Sequence, residues 1–197
     1  MTNQTASAAR RTKETDINAL ISRIDPTREI ATGIGFFDHM LDALFFHAGL
    51  GLRLSAAGDL HVDSHHTVED VGVVLGQALY DLLGDKSGVT RFASACIPMD
   101  EALAEATVDI SGRPFLVFND FSESKLVGHS GDYDYAQTEE FLRALCTNAK
   151  LTLHVNLYYG ANGHHMTESI FKAVARALRA AMVPMSGSTS TKGVIDA

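Results

Sequence analysis

Two stretches of the chain carry one five-residue pattern, His-His-x-x-Glu: His65-His66-Thr67-Val68-Glu69 and His164-His165-Met166-Thr167-Glu168. Imidazole and carboxylate together suit Mn, Fe or Zn, whereas Mg and Ca sites lean on carboxylates and other oxygens. On the first turn of a helix, the first His and the Glu are four apart and share a face. The second His is three from the Glu, a spacing that also permits contact. The adjacent histidines, however, diverge by about 100° around the axis. They are poorly placed to hold one ion together and well placed to serve two ions on either side of the helix start. Two motifs can therefore supply two sites, each taking a His from either motif.

The motifs sit inside a wider recurrence. Ala78-Leu79 follows Glu69 at the same spacing as Ala177-Leu178 follows Glu168. Upstream, His39-Met40-Leu41-Asp42-Ala43-Leu44 matches Glu140-Phe141-Leu142-Arg143-Ala144-Leu145, and Leu60-His61-Val62 and Leu153-His154-Val155 each precede a His-His pair. Blocks in one order at near-equal spacing predict a duplicated helix–strands–helix unit. His39 and Glu140 hold matching positions and add one candidate ligand to each site. Of the nine histidines, His47, His61, His129 and His154 lack this support. His61 and His154 read as strand residues that are structural or stand behind a ligand, and His129 as a loop residue whose role the sequence does not decide.

The elements that must position these groups follow from apolar periodicity. Strands are expected around Ile17–Ile24 and Glu29–Ile34, with Asp25-Pro26-Thr27 as a turn. Phe37–His47 has helical spacing and ends at Gly49. Leu52–Ala56 and Leu60–Val62 alternate like strands, and Glu69–Leu83 reads as a helix. In the second half, Glu105–Asp109, Pro114–Phe118 and Leu151–Tyr158 read as strands, Gln137–Asn148 and Thr167–Met182 as helices. The expected fold is α+β: two tandem similar halves, each a mixed β-sheet with two helices on one face. Residues 1–10 read as a disordered arm. Residues 11–185 form one duplicated domain, with halves of about 11–93 and 94–185. Residues 186–197 form a Ser/Thr-rich tail.

Among the basic residues, Lys172 lies one turn beyond Glu168 on the same helix face, within reach of an anion near the metal. Ser190-Thr191-Lys192-Gly193 combines hydroxyls, an ammonium and a flexible glycine, which suits a phosphate. The formal net charge of −8 argues against generic nucleic-acid binding. No apolar run approaches the roughly 20 residues that span a bilayer. Cys96 and Cys146 form no pair motif and read as reduced, small apolar residues. A cytoplasmic protein is expected.

Together these residues resemble the imidazoleglycerol-phosphate dehydratase family of histidine biosynthesis, from about Arg11 to Gly193. The similarity runs through Arg11–Thr15, Thr32–Leu41, Gly58-Asp59-Leu60, His65–Asp70, Pro98–Leu103, Asp109–Pro114, Gly163-His164-His165, Glu168, Phe171-Lys172-Ala173 and Ser190–Gly193. The resemblance implies two Mn2+ ions per active site. By matching position the ligands are His39, His65, His66, Glu69, Glu140, His164, His165 and Glu168, and the position of Glu140 carries His in some relatives. It also implies phosphate contacts from Arg91, Arg113, Lys172, Ser190 and Lys192, with Thr191 beside them, and a substrate-contacting Glu14. It further implies a homo-oligomer of 24 subunits whose sites neighbours share. The chain departs from the family pattern in a shorter stretch between Glu14 and Thr32. It also has Thr189 where a Pro often precedes Ser-Thr-Lys.

The reaction so implied removes water beside an imidazole ring, giving imidazoleacetol phosphate. A weakly acidic carbon-bound proton and a hydroxide must both leave, which calls for an electron sink. Two metals on the ring nitrogens would stabilise an imidazolate and a diazafulvene-like intermediate. A carboxylate moves the proton, and Glu14, Glu69 and Glu168 are the unranked candidates. A two-metal phosphoester hydrolase would want a more Asp-rich ligand set. A metal-storage protein would leave the basic residues without a purpose.

Overall fold

The computed structural model describes residues 3–187. The first half runs β1 (Thr5–Arg11), β2 (Thr15–Ser22), β3 (Arg28–Ala31), α1 (Gly35–Ala48), β4 (Gly51–Gly58) and α2 (His65–Leu83). The second runs β5 (Phe92–Met99), β6 (Ala102–Asp109), β7 (Phe115–Asp120), a short hairpin of β8 (His129–Ser130) and β9 (Tyr133–Asp134), α3 (Gln137–Ala149), β10 (Thr152–Tyr159) and α4 (Gly163–Ala181). With the hairpin removed, the second series repeats the first. The sheets repeat it too: β1-β2-β4-β3 and β5-β6-β10-β7. In each, three strands are antiparallel and the fourth joins in parallel. The expected α+β class with two similar halves is what the chain forms.

Strand alternation sends one side of each sheet inward. Ile17, Ala19 and Ile21 of β2 face the same core as Ala104, Ala106 and Val108 of β6. The helices fill the space between the sheets, and they pair across the halves: α2 lies along α3, and α1 along α4. Gly72 and Gly76 permit the first pairing. A Cβ on Gly72 would stand 2.8 Å from both Ala144 Cβ and the Phe141 carbonyl, and one on Gly76 2.7 Å from Asn148 Cβ and the Leu145 carbonyl. Phe37, Phe141 and Phe171 join the helices at the centre, with Phe141 stacked on Phe171 and edge-on to Phe37. Burying each such ring is worth roughly 1.5–3 kcal/mol. One contiguous core spans both halves.

Four expectations change. The arm expected over 1–10 is, among the described residues, largely a strand: Thr5–Arg11 pairs along its whole length with β2. Its Ala and Ser side chains give no apolar alternation, and the sheet hydrogen bonds hold it. The boundary at 93/94 falls inside β5, where the central run Ala93-Ser94-Ala95-Cys96 gives little apolar contrast and periodicity did not reveal the strand. Leu60-His61-Val62 is an exposed turn, not a strand. The true counterpart of Leu153–Val155 in β10 is Leu52–Leu54 in β4, by place in the sheet. Finally, α2 and α4 begin at His65 and Gly163, earlier than Glu69 and Thr167, so each His pair sits on a first turn. Residues Ser190, Thr191 and Lys192 lie outside the described residues.

Candidate metal centre

Asn162 starts α4. Its side-chain oxygen accepts from the backbone N–H groups of His164 (2.9 Å) and His165 (3.3 Å), satisfying two of the free donors of the first turn. At the start of α2 the same task falls to Asp63, which accepts from His65 N–H at 2.8 Å. Ser64 hydrogen-bonds Gln137 at 3.0 Å, joining this helix start to that of α3.

Because α1 packs along α4, His39 of the first half meets the motif of the second. Glu168 Oε2 lies 3.2 Å from His164 Nε2 and 3.7 Å from His39 Nε2. Among the described residues this is the one group of three such side chains whose ligand atoms all lie within 4.8 Å of one another. The other carboxylate oxygen, Oε1, accepts from Lys172 Nζ at 2.7 Å. Lys172 thereby holds Glu168 with its free oxygen toward the imidazoles. Burial works to raise the Glu168 carboxyl. The hydrogen bond and charge of Lys172, with His39 and His164, outweigh it and keep the carboxyl below the usual range. Phe36 packs edge-on against His164 and His39, walling one side. Two imidazole nitrogens and one carboxylate oxygen so converged fit a divalent transition metal.

The corresponding group in the first half is looser. His65 Nε2 stands 3.7 Å from Glu69 Oε2, and both side chains are about half exposed. Val73, at the position matching Lys172, offers no charge. Glu140, the positional match of His39, lies 3.8 Å from Arg143, whose guanidinium also pairs with Glu139.

The second histidine of each motif turns away from these groups, as the 100° divergence predicts. His66 Nδ1 donates to Asp59 at 3.0 Å, and His165 Nδ1 to Glu101 at 2.7 Å. The Asp59 hydrogen bond raises the His66 imidazole against the opposing effect of burial, with added help from the Glu14 charge. Glu101 raises His165 in the same way, again against burial. Glu101 is held down to about 2, first by His165 and then by the backbone N–H of Asn162. Asp59 and Glu101 escaped the sequence reading as partners because contacts between loops leave no periodic trace.

Other predicted residues fall into place separately. Glu14 is exposed in the β1–β2 turn and acts on His66 through its charge. The neighbouring Thr15 donates to Asp70 of α2 at 2.6 Å, and Arg10 to the same carboxylate at 2.9 Å, so the turn is anchored beside the first motif. Arg91 and Arg113 converge on Asp109, at 2.8 and 3.8 Å. Burial and the charges of Lys172 and Arg176 lower the His47 imidazole, which faces a cationic stretch of α4.

The duplicated sheets, the crossed helix pairs and the trio at the α1–α4 contact define a duplicated α+β protein with a candidate metal-binding group at a helix start. The profile of the imidazoleglycerol-phosphate dehydratase family matches residues 32–178. The imidazoleglycerol-phosphate dehydratase of Alkaliphilus metalliredigens is 52% identical over 189 residues, covering 93% of this chain and 95% of its own. That of Acidiphilium cryptum is 52% identical over 199 residues, covering 98% and 100%. The crystal structure of the Staphylococcus aureus enzyme superposes with a TM-score of 0.80 at 42% identity, covering 92% of this chain and 99% of its own. That of the Pyrococcus furiosus enzyme, in complex with (S)-C348, gives 0.79 at 37%, covering 94% and 99%. The chain belongs to the imidazoleglycerol-phosphate dehydratase family. Among the described residues no helix is long and apolar enough to cross a membrane.

Proposed function

We propose that the protein is a manganese-dependent hydro-lyase that removes water from imidazoleglycerol phosphate to give imidazoleacetol phosphate, in the cytoplasmic synthesis of L-histidine. The observation that carries this reading is the His39–His164–Glu168 trio, built from one copy of a duplicated motif in a chain of this family. His39, His164 and Glu168 would hold one Mn2+, and His65, Glu69 and Glu140 would contribute to a second. Bound there, the ions supply Lewis acidity to the ring nitrogens of the substrate. His66 and His165 turn away from these groups toward Asp59 and Glu101, and the first-half group is loose within one chain. Both features favour ligand sets completed by neighbouring copies, in a 24-subunit assembly.

The chain's own groups do the rest. Arg91, Arg113 and Lys172, with Ser190, Thr191 and Lys192 of the tail, bind the phosphate and fix the glycerol chain. Glu69 and Glu168 belong to ligand groups, and Glu168 is further held by Lys172. Glu14 is exposed, beside the first motif and, among the described residues, without a hydrogen-bonded cation, so it takes the carbon-bound proton. The proton and the substrate hydroxyl leave together as water. Phe36 keeps solvent off one side of the His39–His164 pair.

The test is turnover of imidazoleglycerol phosphate by protein stripped with chelator and then reloaded with manganese. Activity is expected to vanish on stripping and return on reloading. Metal binding without turnover in either state contradicts the dehydratase reading.

A further inference from the structure

The two halves share their histidines by position, but not the groups that hold them. Asp59 lies in the connection between β4 and α2; Glu101 lies in the turn between β5 and β6. The places that match them in the other half are the β10–α4 connection and the β1–β2 turn. Duplication of the unit therefore does not supply both contacts. Yet the two carboxylates reach the same atom, Nδ1, of the same motif residue: Asp59 at 3.0 Å from His66, Glu101 at 2.7 Å from His165. Two different loops arriving at one arrangement indicate that the arrangement matters.

Its chemical content is the position of a proton. A carboxylate only accepts, so Nδ1 carries the hydrogen, and in the neutral ring Nε2 keeps its lone pair. Among the described residues neither Nε2 has a hydrogen-bond partner. The nearest carboxylate oxygen to His165 Nε2 is Asp100 Oδ2 at 3.7 Å, too far for a hydrogen bond. His164, by contrast, turns its Nε2 to Glu168 inside the trio.

We propose that Asp59 and Glu101 are positioning residues that fix the tautomer and aim of His66 and His165. The Nε2 of each is thereby offered to a divalent cation outside the chain's own His39–His164–Glu168 trio. The proposal rests on the metal reading above and adds the groups that orient the second histidine of each motif. Such outer partners of metal-bound histidines are worth about 10–100-fold in metal affinity.

The hydrogen bonding of Glu101 makes an isosteric test possible. Its Oε1 accepts from the backbone N–H groups of Ala161 (3.2 Å) and Asn162 (2.8 Å), while Oε2 takes His165. In Glu101→Gln the carbonyl oxygen stays with the two backbone donors, and the amide NH2 faces His165 Nδ1. That nitrogen must then accept, and the proton moves to Nε2, where it blocks ligation. Asp59 differs: both its oxygens lie near His66 Nδ1, at 3.0 and 3.3 Å. In Asp59→Asn the carbonyl can still accept, whereas Asp59→Ala removes the acceptor.

The experiment titrates manganese into chelator-stripped full-length protein by calorimetry, with circular dichroism melts as a control on folding. Glu101→Gln and Asp59→Ala are expected to weaken part of the manganese binding by about 10–100-fold, and Asp59→Asn by much less. Asp59 is partly buried in its loop, so a purely structural role would show as a lowered melting temperature, not as a selective loss of manganese binding in a protein that melts as wild type does. Asp59→Ala carries the test independently should Glu101→Gln disturb the start of α4. Wild-type affinity and stoichiometry in both Glu101→Gln and Asp59→Ala would overturn the proposal while leaving the metal reading intact. A wild-type protein that takes up no manganese would overturn both.

Discussion

The two halves share a sheet order and a motif, yet their candidate ligand groups differ in readiness. In the second half Glu168 is buried, clamped by Lys172 and closed on two imidazoles. In the first half Glu69 is half exposed, 3.7 Å from His65, and Val73 stands where the lysine would be. A duplicated backbone places equivalent side chains alike. Whether they form a preorganised group depends on burial and on one charge a turn away. The lesson is that equivalence of position does not bring equivalence of electrostatics.

The largest expected effect separates the ligand carboxylates from the proton carrier. Glu14→Gln should lower kcat by about 10²–10⁴-fold while manganese content, measured by elemental analysis, stays at the wild-type value. Full turnover in that variant would return the proton-transfer role to Glu69 or Glu168.

Next comes stability without metal. Glu168→Ala leaves Lys172 mostly buried and unpaired, which should cost about 3 kcal/mol in urea unfolding of stripped protein. Glu69→Ala breaks a half-exposed contact and should stay within about 1 kcal/mol. Equal losses would erase the difference drawn between the halves.

A comparable contrast holds for the helix pairs. Gly72→Ala or Gly76→Ala pushes a methyl into the α2–α3 contact and should destabilise by roughly 1–3 kcal/mol, read from the thermal melt. Gly35→Ala at the start of α1 meets nothing within 4 Å, so its side chain is accommodated without a clash.

The smallest effect concerns acid. The Glu101 carboxyl is lowered from 4.5 to about 2 in the folded chain. Its contribution to stability is present above the unfolded value and is lost as pH falls through the folded one. His165, raised by the same contact, contributes below its unfolded value and loses that contribution as pH rises through its folded one. In stripped protein the melting temperature should therefore fall more steeply between pH 4.5 and 2 in wild type than in Glu101→Gln. Parallel acid melts of the two proteins would remove the contact from the account.

Much of this was legible in the sequence. The motifs and the helix blocks around them depend on residue type and on the 3.6-residue period, so α1 to α4 and the duplication could be read directly. The small residues of β1 and β5 hid those strands, since Ala and Ser alternate without contrast. Leu60–Val62 showed the opposite failure: its alternation looked like a strand, but it is an exposed turn with no sheet partner. The candidate ligands were visible as residue types at a spacing, whereas the meeting of His39 with the other half's motif depends on α1 crossing to α4. Asp59 and Glu101 were visible only as acidic residues. Their work depends on where two unrelated loops end.

The most direct test of the central claim is anomalous diffraction at the manganese edge from crystals of reloaded protein. The account predicts one peak ligated by His39, His164 and Glu168 and a second, separate peak ligated by His65 and Glu69. Manganese absent from the His39–His164–Glu168 group, or a single shared peak, would contradict it.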